Sequence, residues 1–221
     1  MGKQIVQKTT SAKVKAKADV VFCFDCTGSM SGCIANVKEY ANAFALGLAS
    51  GANPIDWRMR ATGYGDLELN EEIQNSFDFV PTVPEFQTQL ANIRMCGGGD
   101  EPESTLDAIV VAAKTSKWRS QVHKIVVVFT DAHTKDIHSS TRKTFAINNV
   151  DELKIGLTED HIKLFLWGPS DPNYNALKSV PKAEIEELAN PHVAYASGNK
   201  MEKLLELMGK TISDTLGSDV L

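Results

Sequence analysis

The sequence predicts an α/β domain built on a doubly wound, mostly parallel central sheet of about six strands, flanked by helices. Two continuous apolar runs, Val20–Phe24 (VVFCF) and Lys124–Thr130 (KIVVVFT), are rich in β-branched and aromatic residues, the pattern of strands buried on both faces. Stretches with apolar residues at helical spacing alternate with such runs, which implies right-handed βαβ crossovers. A chain of 221 residues can bury a core of this kind without disulfides, and four cysteines are too few for a stapled scaffold.

Residues 1–17 are polar and basic, with five lysines and no acidic residue, and are expected to form a solvated tail. They lack the apolar centre of a secretory signal. Residues 18–221 are expected to form one domain. Its first strand is Val20–Phe24, between Asp19 and Asp25. A small-residue loop then leads into a helix with Ile34, Val37, Ala41, Phe44 and Leu48 on one face, ended by Ser50-Gly51. A strand follows over Trp57–Tyr64, and a shorter one is predicted over Phe77–Val80. Phe86, Leu90 and Ile93 mark a short helix. Pro102 fits the first turn of the next helix, whose apolar face is Leu106, Ile109, Val110 and Ala113. After the second buried strand, residues 132–149 are polar and carry no clear pattern. The expected order then runs helix (Val150–Leu157), strand (Lys163–Trp167), helix (Pro181–Leu188), strand (Val193–Ala196) and closing helix (Met201–Leu216).

Lysine and arginine total 23 against 28 acidic residues, a formal charge of −5, which argues against a surface built to neutralise nucleic-acid phosphates. The longest apolar run, Ala108–Ala113, is six residues, far short of the roughly 20 of a spanning helix. A cytoplasmic protein with reduced thiols is the default expectation. Cys23 and Cys26 have C-x-x-C spacing, but Cys23 lies inside an apolar run and no second pair follows, so a redox or zinc role is the weaker reading.

In open parallel sheets, sites form beyond the carboxyl ends of the strands. The first strand ends in Asp25-Cys26-Thr27-Gly28-Ser29, where Asp25, Thr27 and Ser29 alternate and can converge in an extended turn. A carboxylate with two hydroxyls is a hard-oxygen set suited to magnesium, manganese or calcium. Serine and threonine also cap helices, so this motif alone leaves both readings open. Two more loops point to the metal. Gly97-Gly98-Gly99-Asp100 precedes a helix, and the strand Lys124–Thr130 runs directly into Asp131.

These residues resemble the von Willebrand factor type A (vWA) domain, a Rossmann-like fold, and its metal-ion-dependent adhesion site (MIDAS). That family has D-x-S/T-x-S after the first strand, a Thr or Asp in a glycine-rich second loop, and an Asp after a later buried strand. The resemblance runs from about Ala18 to about Ser213, with D-x-T-G-S-M and G-G-G-D-x-P-E most like intracellular and microbial members, including those attached to atypical kinases. It implies a metal held by Asp25, Thr27, Ser29, Asp100 and Asp131, the hydroxyls binding directly and Asp25 and Asp131 directly or through water. It implies a metal-assisted protein–protein interaction module, a scaffold or regulatory component and not an enzyme, whose partner completes the coordination with an acidic side chain. Asp100 stands where many adhesion-type members have threonine. The third carboxylate is expected to hold the metal well and to weaken capture of partner carboxylates.

Other residues near these loops receive lesser roles. Asp66 is expected to be an ordinary loop aspartate, with the outer shell of the site as the alternative. Glu101 and Glu103 fall in a first helical turn, where the helix dipole favours acids, and are given a rim role at most. His133 is expected at the rim of the site, with His138 one loop further; His123, His161 and His192 have no motif context. Trp118 and Trp167 are read as core or boundary residues. The alternative to an interaction module is a metal-dependent phosphatase or phosphotransferase, because F-D-C-T-G-S resembles haloacid dehalogenase-type enzymes. Those place an acid two residues after the nucleophilic aspartate, and Thr27 cannot serve as that proton donor near neutral pH.

Overall fold

A computed structural model describes residues 17–50, 55–97 and 101–197. Of the basic tail expected over residues 1–17, only Lys17 is described, and it opens the first strand; residues 1–16, the glycine-rich stretch 98–100 with Asp100, and the closing helix over Met201–Leu216 lie outside the described residues. Six strands form one sheet in the order β3-β2-β1-β4-β5-β6. They are β1 (Lys17–Asp25), β2 (Asp56–Tyr64), β3 (Ile73–Gln74), β4 (His123–Phe129), β5 (Ile162–Gly168) and β6 (Glu184–Glu187). All neighbours are parallel except β2 and β3, so the sheet is the doubly wound one the sequence predicts.

The middles of the central strands β1 and β4 are apolar without alternation because both faces are covered. Val20, Phe22 and Phe24 of β1 join Val127 and Phe129 of β4 in one layer, under α1 (Ile34–Ser50), α2 (Val83–Asn92) and α7 (Pro191–Ala196). Val21 and Cys23 join Val126 and Val128 in the other, under α3 (Thr105–Thr115), α5 (Val150–Glu159) and α6 (Pro172–Leu177). Trp167 is buried in the first layer, stacked 5.0 Å from Phe129, and Trp118 sits at the boundary of the second, 5.3 Å from Phe79.

Several expected elements differ. The predicted helix at Pro181–Leu188 is an edge strand, β6, paired through Phe165↔Glu184 and Gly168↔Glu187. Its glutamates suit a solvent-facing edge, where charge discourages strand addition. The predicted strand at Val193–Ala196 is instead α7, begun by Asn190, whose side chain accepts from Val193 N, and by Pro191 in the first turn. Of Phe77–Val80, only Val80 pairs, as an antiparallel bridge to Met59; the third strand is Ile73–Gln74. The helix expected to begin at Pro102 begins at Thr105, because Glu103 is drawn into a parallel bridge with Thr134. Within the unpatterned stretch, α4 (Ser139–Phe145) is capped by His138.

From β1 the chain winds outward to β2 and β3, then returns to β4 on the other side of β1. That reversal puts the switch point between the carboxyl ends of β1 and β4, at Asp25 and Thr130-Asp131.

Candidate metal centre

Asp25 is fully buried at the end of β1. Its Oδ1 accepts hydrogen bonds from Thr27 N (3.0 Å) and Thr27 Oγ1 (2.6 Å), and its Oδ2 accepts from Thr130 Oγ1 at 2.7 Å. Those donors are two hydroxyls and an amide, and no lysine or arginine pairs with Asp25 among the described residues. Burial therefore pushes its carboxyl up to about 6, against the lowering by Thr27 and Thr130, with the nearby Asp131 adding to the rise.

The chain of polar contacts continues across the switch point. Thr27 Oγ1 lies 3.2 Å from Ser29 Oγ, and Ser29 Oγ donates to Asp131 Oδ1 at 3.0 Å. The alternation of Asp25, Thr27 and Ser29 thus does bring three side chains to one side, and Asp131 closes the row from β4. Burial raises the Asp131 carboxyl, with the Ser29 hydrogen bond and His192 working against it. Asp131 Oδ2 is buried without a hydrogen-bond donor. His192 Nε2, from α7, stands 3.0 Å from it but outside hydrogen-bond geometry.

Glu103 is the residue whose place differs most from expectation. It is 3% exposed, neither at a rim nor in a helical turn. Its backbone is clamped to the loop after β4, donating to His133 O (2.9 Å) and accepting from Lys135 N (2.8 Å). Burial, then the charges of Asp25, Asp66 and Glu71, push its carboxyl up to about 8, and a hydrogen bond with Thr27 opposes the rise. Its Oε2 is buried with no partner. The helix dipole is enough to account for an acid in a first turn, whereas the bridge to Thr134 turns Glu103 inward beside Thr27.

Asp66 is buried as well, but its charge is answered. Lys135 Nζ lies 2.6 Å from Oδ2, Glu68 N donates to Oδ1 at 3.0 Å, and Ser104 Oγ lies 3.3 Å from Oδ1. It ties together the loops after β2 and β4 and the start of α3. His133 is exposed and lies 3.3 Å from Asp171, and His138 caps α4; neither enters the row of ligand atoms. Close backbone packing holds the first two loops together: a Cβ on Gly28 would stand 2.8 Å from Gly97 O, and Cys96 N donates to Cys26 O at 2.7 Å.

The donor set fits a hard divalent cation. It consists of carboxylates and hydroxyls from separate loops, and two carboxylate oxygens, on Glu103 and Asp131, are buried without partners. An unpaired buried acceptor costs about 1–3 kcal/mol, more when charged, and a cation is the simplest compensation. Among the described residues, no three His, Cys, Asp or Glu side chains stand together as a metal cage, so the set depends on Thr27 and Ser29.

Comparison with known proteins agrees with this architecture. Residues 80–160 match the model of the von Willebrand factor A domain family. Alpha-protein kinase vwkA of Dictyostelium discoideum is 27% identical over 146 residues, covering 62% of this chain and 23% of that protein. Proximal thread matrix protein 1 from the mussel byssus, with a zinc-occupied MIDAS motif, superposes with a TM-score of 0.65 at 13% identity, over 88% of this chain and 46% of that one. A second crystal form of it gives 0.64 at 12% identity. The chain thus spans under a quarter of the curated relative and about half of the mussel protein.

Proposed function

We propose, from the premise that this chain is a von Willebrand factor A domain, that it is a metal-dependent protein-interaction module working inside the cell as a scaffold or regulatory component. The observation that supports this most is the row Asp25–Thr27–Ser29–Asp131 at the switch point, flanked by the orphaned Glu103 oxygen. Asp25, Thr27, Ser29 and Asp131 would hold the ion, magnesium in the first instance or manganese or calcium, with Asp100 and Glu103 as second-loop carboxylates. When bound, the divalent ion supplies one strong Lewis-acid position for an oxygen of a protein partner, such as an acidic side chain. Asp25, buried and braced by three hydrogen bonds, fixes the Thr27 hydroxyl in place. Thr130 does the same for the other carboxylate oxygen, so the ligands need little reorganisation on binding. Glu103 and Asp131 bring carboxylate charge that offsets part of the ion's own, which favours retention of the metal over capture of a partner carboxylate. Within the described residues no helix is long and apolar enough to cross a membrane.

Adding magnesium to EDTA-stripped protein tests this reading by thermal melting. At a hundredfold excess over the dissociation constant, binding stabilises by about 2.7 kcal/mol, or roughly 5–10 °C for a domain of this size. Asp25→Asn is expected to remove the shift. An unchanged melting temperature in the wild type with magnesium, manganese, calcium and zinc alike would sink the proposal.

A further inference from the structure

We propose that His192 is a nitrogen ligand for the ion at this site, so that the site prefers zinc-class cations such as zinc and cobalt to magnesium. The inference rests on the metal-site reading above and deepens it by naming the ion class and the residue that selects it.

The position of His192 is built, not incidental. Tyr195 on α7 is fully buried, and its hydroxyl accepts from Thr130 N at 3.1 Å and lies 2.9 Å from Thr130 O and 2.7 Å from Trp167 O. The helix is thereby tied to the carboxyl ends of β4 and β5. His192 is three residues earlier and so shares a helix face with Tyr195. That sets its Nε2 3.0 Å from Asp131 Oδ2.

The two atoms are in ion-pair contact with no hydrogen bond between them. The contact is outside hydrogen-bond geometry, and the Asp131 side chain, 1% exposed, keeps Oδ2 without a donor. A spacing of about 3 Å is what two neighbouring ligands show on metal bonds of about 2.1 Å at right angles. The Thr27 Oγ1–Ser29 Oγ and Ser29 Oγ–Asp131 Oδ1 spacings, 3.2 and 3.0 Å, match it, so the four residues follow one another at ligand-to-ligand distances, with the two oxygens of the Asp131 carboxylate facing Ser29 and His192. Imidazole suits zinc and its transition-metal neighbours, whereas magnesium takes oxygen donors and retains its waters. The His192 side chain is 53% exposed, which leaves a path for the ion to enter on its side.

Calorimetric titration of EDTA-stripped wild type and His192→Ala with magnesium and zinc tests the assignment, with cobalt followed by its visible absorption. The variant is expected to lose at least tenfold in zinc affinity, to change the cobalt spectrum, and to keep magnesium affinity within about twofold. Unchanged zinc affinity, or equal weakening of zinc and magnesium, overturns the proposal. Asp25→Asn separates this from the underlying reading. If it weakens both ions while His192→Ala leaves zinc untouched, only the histidine assignment fails. If the wild type binds neither ion, or Asp25→Asn binds both as well as the wild type, the metal site itself fails and the proposal with it.

Discussion

Asp19 and Asp25 stand at opposite ends of β1, both fully buried, in opposite electrostatic company. Arg58 grips Asp19 through Nε and Nη2 at 3.0 and 2.6 Å, and Arg119 adds its backbone N–H and Nε at 2.9 Å each. Arg119 also reaches Asp56, so a closed ion-pair network seals the amino end of the sheet. Although burial alone would raise the Asp19 carboxyl, the arginines hold it below the usual range. At the carboxyl end, Asp25 has only hydroxyl and amide donors, and burial pushes its carboxyl up to about 6 and that of Glu103 up to about 8. The same residue type in the same strand is a completed structural pair at one end and an uncompensated charge at the other. A fold can carry such an imbalance where something from solution completes it.

The largest expected effect follows from removing the completed pair. Asp19→Ala leaves two arginines facing a buried position, and is expected to lower stability by about 2–4 kcal/mol, less than a fully buried pair would because both guanidinium groups keep some exposure. Urea denaturation measures it, and the magnesium-induced shift in melting should be unaffected. Asp25→Asn should do the reverse, keeping metal-free stability within about 1 kcal/mol or raising it, since it removes an uncompensated charge and retains an acceptor. If Asp25→Asn proved as destabilising as Asp19→Ala, the contrast between the two ends would collapse.

The pH dependence is the next largest effect, and its sign differs between the ends. The lowered Asp19 carboxyl contributes stability above its unfolded value, near 3.8, that is lost on acidification. Glu103 is raised from 4.5 to about 8, so the folded state keeps a proton the unfolded state has released; the stability it contributes is present at low pH and lost as pH rises towards 8. Asp25 behaves likewise, over a window from about 4 to 6. Metal-free protein should therefore lose stability as pH rises between about 4 and 8. Glu103→Gln should flatten the upper part of that fall and leave the acid limb, which Asp19→Ala should remove. Chemical denaturation at a series of pH values separates the two.

How much of this was legible depends on what made each feature. The buried strands β1 and β4 were readable because an apolar run without alternation fits few other environments. The row Asp25, Thr27, Ser29 and Asp131 was readable because strand ends and alternation are local properties. By contrast β6, with three glutamates in four residues, has no apolar signature, and only its pairing with β5 makes it a strand. Likewise α7 hid its start in Asn190-Pro191, a cap followed by a first-turn proline, beside a valine that suggested β-structure. Glu103 and His192 were unreadable for a stronger reason. The bridge to Thr134 and the anchorage of Tyr195 are tertiary contacts between residues 31 and 65 apart, respectively, which no local pattern encodes.

A smaller effect sharpens the comparison by touching backbone and not charge. The carboxyl end depends on two loops meeting closely at Gly28, where an added Cβ would stand 2.8 Å from Gly97 O, a contact with backbone that cannot rotate away. Gly28→Ala is expected to cost about 1 kcal/mol in stability as the loops separate, and to weaken metal binding more than that figure suggests, because Thr27 and Ser29 flank it. Gly32 lies four residues on, in the same segment, with open space around an added Cβ. Gly32→Ala should be neutral, or stabilising by about 0.4–1 kcal/mol through the unfolded chain, with metal affinity unchanged. Calorimetry and denaturation on the pair separate loop spacing from general backbone stiffening. If both variants bound metal as the wild type does, the close approach of the loops would have no part in forming the site, and the open carboxyl end would be explained by side chains alone.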